Sequence, residues 1–196
     1  MRTTAGLVLA CVLSVSACSG QAAAPAPATT SNAVTTTSEA PGADPAAWFD
    51  AYCTPLGLAA KARNDLRNID GRTSVKDAVV LWVSMAAVSD RRIADDVEKL
   101  GPLGSDVQSV HERLVSALRE EAGRFDKAAE RLRSLANDDA FPERYEQVMA
   151  IEMGSVGEQI GALFTPIAQN PRYADAFRSS KACTDWQSAD KQAPGK

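Results

Sequence analysis

The chain has 196 residues, with 21 lysines and arginines against 25 aspartates and glutamates and a formal net charge of −4. That mild acidity, without a basic cluster, argues against nucleic acid as a partner and against electrostatic binding to an anionic surface. One histidine and four cysteines bound the metal and nucleophile chemistry within reach.

Arg2 forms a short positive start, and no charge follows from Thr3 to Ala17. The run "LVLACVLSV" supplies the apolar centre of a secretory signal. It is shorter than the roughly 18–20 residues a permanent membrane helix needs, so residues 1–17 read as a removable leader. Its end, Val15-Ser16-Ala17-Cys18, resembles the lipobox of bacterial lipoproteins, with an aliphatic and two small residues before a cysteine. The resemblance implies that the Cys18 thiol receives a diacylglycerol, that the chain is cut before Cys18, and that palmitate-type acyl chains hold it to the cell membrane. Two acyl chains make a stable anchor where one gives only marginal binding. A conventional signal with an incidental Cys18 is the competing reading.

Residues 18–43 change character. The stretch "GQAAAPAPATTSNAVTTTSEAPGA" is nearly all Ala, Pro, Thr and Ser, with Glu39 its single charge. Such a composition buries too little apolar surface to fold, and reads as a disordered stalk open to O-linked sugars. Fully extended, it reaches roughly 80–90 Å.

The domain proper is expected over residues 44–196. Cys11 leaves with the signal and Cys18 carries lipid, so Cys53 and Cys183 remain, 130 positions apart. In an exported protein such a pair is expected to form a disulfide; free thiols are the alternative, and no C-x-x-C redox motif occurs.

After Asp44 the apolar spacing is helical throughout, with no sustained strand alternation. Asp44-Pro45 is a helix start, and Trp48, Phe49, Tyr52, Leu56, Ala59 and Leu66 follow on one face, with a kink or restart expected at Thr54-Pro55. Ser74 and Asp77 open a second helix whose stripe runs through Ala78, Val79, Trp82, Met85, Ala86, Ile93, Val97 and Leu100 to Gly101-Pro102. Ser105 to Gln108 reads as the capping box of a third, with Val107, Val110, Leu114, Ala117, Leu118, Phe125, Ala128, Leu132 and Leu135 as its seam. A fourth starts near Pro142 and carries Tyr145, Val148, Met149, Val156, Ile160, Leu163 and Ile167 inward; a short fifth follows Asn170-Pro171. Long helices on short loops predict an all-α, up-and-down four-helix bundle with a short fifth C-terminal helix and one disulfide.

Sites are sparse. His111 falls on the third seam, and "HERLV" lacks the second ligand of H-E-x-x-H, so it reads as structural and no metal is expected. "MGSVGEQIG" has the wrong spacing for a nucleophile elbow and lacks a strand. Its Gly154, Gly157 and Gly161 read first as close helix packing, otherwise as a bend or a pocket wall. Asp95-Asp96 reads as a solvated face with Arg91 and Arg92, and Asp138-Asp139 as a turn. No catalytic constellation and no cofactor fingerprint stands out. If a ligand is held, Gly157, Gly161 and Trp82 are its candidate walls.

The lipobox, the stalk, the Ala/Arg/Asp-rich body and the flanking "AYC" and "KACTDW" resemble the small envelope lipoproteins of actinobacteria, especially mycobacteria. The resemblance implies an anchored, extracytoplasmic location and carries over no catalytic residue. The expected function is a non-enzymatic binding or scaffolding module for an envelope protein or lipid. The alternative is a carrier or sensor of an envelope lipid in a helical cavity, and an envelope hydrolase stands third.

Overall fold

In the computed structural model, residues 42–66 and 74–191 are described. The expected leader, Cys18 and almost all of the expected stalk lie outside them. Seven α-helices occur among the described residues: α1 (Pro45–Asp65), α2 (Val75–Leu100), α3 (Gln108–Ser134), α4 (Phe141–Met153), α5 (Val156–Gln169), α6 (Ala174–Ser179) and α7 (Lys181–Lys191).

Local chemistry sets most of the boundaries. Asp44 accepts a hydrogen bond from the Ala47 amide at 2.8 Å, and Pro45 fills the first helical position. Ser74 accepts from the Asp77 amide at 3.0 Å, covering a donor that the first turn of α2 leaves open. Gly101, at φ +79°, ends α2 with its amide on Val97 and Glu98. The expected capping box on α3 does not form. Ser105–Val107 makes a 3-10 turn instead, and neither it nor α3 has a side-chain cap. The Asp106 carboxylate is engaged elsewhere, accepting from Asn170, Arg172 and Tyr173 at 2.8–3.0 Å.

Cross-helix bonds fix the directions. Lys76 reaches the Arg133 and Leu135 carbonyls, Arg133 reaches Ser84, Arg91 pairs with Asp126, and Arg119 pairs with Asp95 and Glu98. Rising numbers on α2 meet falling numbers on α3, so the two are antiparallel. Arg124 donates to the Glu152 carbonyl, the Gly157 backbone lies beside Glu121, and Asp106 meets Asn170. Helices α4 and α5 together therefore run back along α3 as the fourth member of the bundle.

That fourth helix is broken in two. Gly154 adopts φ +50°, a conformation a β-carbon disfavours, and ends α4 before α5 restarts at Val156. Close packing is thus not the role of Gly154 or Gly161, and only Gly157 approaches a neighbour, the Glu121 side chain of α3. Gly157 and Gly161 are exposed, and a Cβ at Gly161 meets nothing within 4 Å. The restart expected at Pro55 is also absent, since α1 runs through that buried proline. The single short C-terminal helix is in fact two, α6 and α7.

Helix α7 lies parallel to α1: Ser180 donates to Asp50 at 2.7 Å, and Asn64 donates to the Ala189 carbonyl at 2.9 Å. Between those two ties, Cys53 and Cys183 are joined, both buried, with Cα atoms 4.8 Å apart. Ala43, read as the end of the stalk, already belongs to the fold, its backbone N–H donating a hydrogen bond to the Pro102 carbonyl at 2.9 Å.

The core divides into two clusters. One gathers Trp48, Phe49, Tyr52, Phe164 and the disulfide with aliphatic residues of α2, α3 and α5. The other is built from Val79, Val83, Ala128, Ala129, Leu132, Phe141 and Val148. On α2, Met85 and Leu100 leave the expected inward stripe for solvent, while Val83, Ala87 and Ala94 are buried.

Candidate functional site

The seam between the two clusters is not filled. Leu56 and Trp186 pack on the first cluster, Trp82 and Phe125 on the second, and a cleft of about 200 Å³ opens between them. Its remaining walls are Ala59, Ala60 and Arg63 of α1, Ala86 and Asp90 of α2, and Glu121 of α3. Spacing explains the assembly. Trp82, Ala86 and Asp90 follow one another at i, i+4 and i+8, and Glu121 and Phe125 at i and i+4, so each set shares a helix face. Alanines stand where leucines would close the gap.

Two carboxyls meet at the inner end. Asp90 is 4% exposed and Glu121 half-buried, and the two side chains share a hydrogen bond. One of them must keep a proton for that bond to exist, because two carboxylates have no donor between them. Burial, then the neighbouring Glu121 charge, pushes the Asp90 carboxyl far above the usual carboxylate range, against a smaller opposing pull from Arg91. Burial likewise raises Glu121. Tyr52, directly inward, is raised by burial and by both acids, and stays a neutral phenol. Among the described residues, no N–H or hydroxyl donates to Asp90 Oδ2.

Trp82, a candidate from the sequence, lines this cleft and also a second hollow of about 460 Å³. The second hollow lies between α1 and α2 and is lined by Ala62, Leu66, Ala78, Leu81 and Met85 with Asp65 and Asp77 at its edge. Beside it the outer face of α2 is apolar: Leu81 is 62% exposed and Val88 58%. Gly157 touches the same site from behind, since a Cβ there would stand 3.3 Å from Glu121 Oε1. Gly161 takes no part.

His111 is buried against the Trp48 ring, 6.2 Å between centroids, and burial lowers its pKa. It stands apart from the carboxyl pair, as a core histidine. On the surface Asp96 pairs with Arg92 and Asp138 caps a turn while holding Arg144, as their sequence context implied, whereas Asp95 pairs with Arg119 of α3 and Arg91 with Asp126. No cluster of three metal-ligating side chains occurs among the described residues.

Sequence reasoning did not single out Asp90 or Glu121. The signal was available: each is an acid placed in register on an otherwise apolar helix seam. Compared with protein-family models, curated proteins and solved structures, the chain matches none.

Proposed function

We propose that the protein is a lipid-anchored, extracytoplasmic envelope lipoprotein, acting as a non-enzymatic module that binds or scaffolds another envelope protein. The observation that carries the binding role is the apolar face of α2 that the described residues leave exposed, where Leu81, Met85 and Val88 follow at i, i+4 and i+7 beside the Trp82 hollow. Isolated exposed leucines are ordinary, but a contiguous apolar strip next to a concavity is a characteristic of docking surfaces. The buried Cys53–Cys183 bridge supports an oxidising compartment. The anchor rests on the Cys18 lipobox.

A photo-crosslinking residue at Leu81, in the full chain exported by an actinobacterial host, tests the reading. One discrete protein adduct, lost on Met85→Asp and absent with the crosslinker at exposed Glu158, supports scaffolding. Identical adduct patterns from both positions would remove it. In the same cells Cys18→Ala should release the protein from membranes, and retention would sink the lipid anchor. Carriage draws on the same hollow. A stoichiometric lipid, seen by native mass spectrometry and released on denaturation, would replace scaffolding with carriage.

A further inference from the structure

Asp90 presents a problem the fold itself does not solve. Its carboxyl is buried with Glu121 as its one hydrogen-bonding neighbour, its Oδ2 meets no N–H or hydroxyl donor among the described residues, and the residue lines an open cleft. A buried acceptor left without a donor is costly, so the arrangement calls for one from outside. We propose that this cleft binds a small primary or secondary organic ammonium ion, its N–H groups on Asp90 and Glu121 and its apolar body among the rings of Trp82, Phe125 and Trp186.

Each part of that ligand answers a feature of the walls. Two converging acids supply a negative centre in a place shielded from water, where a charge-assisted hydrogen bond is strong. The rings of Trp82 and Phe125 join none of the ring pairs described for the core, which leaves their faces to a guest. Aromatic faces attract organic cations, indole best. The alanine-lined space of about 200 Å³ admits a compact amine and not a whole lipid. Divalent cations are matched less well, since calcium takes six to eight oxygens and this pair offers two carboxyls. The orphaned acceptor specifies an N–H donor, so a quaternary ammonium is a poor fit. Two cations border the cleft: Arg91, beside Asp90 and already paired with Asp126 at 2.5 Å, and Arg63 of α1, a wall residue that is not among the charges shifting Asp90. This site is independent of the scaffolding role and stands or falls without it.

The test is titration of the full, disulfide-bonded chain in detergent with 2-phenylethylammonium, followed by calorimetry and tryptophan fluorescence. The expected result is saturable binding below about 1 mM, at least tenfold tighter than 2-phenylethanol and than the trimethylated ammonium. Asp90→Asn and Glu121→Gln, each checked for unchanged circular dichroism, should weaken it at least tenfold, and Trp82→Leu several-fold. Equal binding of the alcohol or the quaternary analogue, undiminished binding by both acid variants, or no saturable binding at all would overturn the assignment.

Discussion

The two clusters of the core are made differently. Around the disulfide, six rings interlock: Tyr52 stacks on Phe164 at 4.2 Å and on Trp48 at 5.7 Å, and Phe49, Phe177 and Trp186 meet them edge-on or tilted. The cluster of α2, α3 and α4 relies on valines, alanines and one leucine, with Phe141 its sole buried ring. Large rings bury more area per residue, and a covalent tie restricts the unfolded chain, so the first cluster is the stronger. The weaker cluster borders the cleft on one side and the apolar outer face of α2 on the other, with Trp82 common to both.

Truncations break this contrast most directly. Trp48→Ala should cost about 3–5 kcal/mol, and Val83→Ala about 1.5–2.5, although both side chains are fully buried. Chemical denaturation of the two variants measures the gap, and equal losses would mean the clusters are energetically alike. Next in size is the bridge. Reduction, or Cys53→Ser with Cys183→Ser, should remove about 2–4 kcal/mol and lower Tm by about 10 °C. Protease sensitivity should then appear first in α6 and α7, which α1 retains through the bridge.

The smallest effect is a pH profile with its two limbs assigned to different clusters. Asp90 faces Tyr52 from α1, Glu121 from α3 and its own neighbour Arg91. Its native pKa is raised to about 8, so the folded state binds the extra proton and stability falls as pH rises from about 4 through 8. His111, facing Glu98 of α2 and Glu112, has its native pKa lowered, so its contribution is present above about 6.5 and is lost on acidification. Asp90→Asn should flatten the alkaline limb and raise Tm near pH 8 by a few degrees, while His111→Gln should flatten the acid one. Tm profiles from pH 4 to 9 read both, and an alkaline limb unchanged in Asp90→Asn would remove the buried-acid explanation.

Much of the bundle was legible because it rests on local rules. Asp44-Pro45, Ser74 and Gly101-Pro102 act within one turn of themselves, and the α3 seam repeats its own spacing. The reading of Met85 and Leu100 failed because an apolar residue at the margin of a stripe can face either way, and only the position of α1 decides. Gly154 was visible as a glycine, but its positive φ depends on how α4 and α5 each seat against α3. The carboxyl pair was hidden for a similar reason. Asp90 and Glu121 are 31 positions apart on antiparallel helices, and nothing short of the α2–α3 register brings them together.

The point at which the chain joins the bundle has a mechanical consequence. Gly42 lies so near the α2–α3 turn that a Cβ would stand 1.9 Å from the Leu103 carbonyl oxygen, and Ala43 is bonded to Pro102. Tension applied from the N-terminal side is therefore met first by this latch, and then by the opening turns of α1. Past Cys53 it divides, because the sulfur bridge hands part of the load to α7 and bypasses the helices between. The two to three turns of α1 before Cys53, about nine residues, are therefore the part of the domain that a pull from this side loads alone.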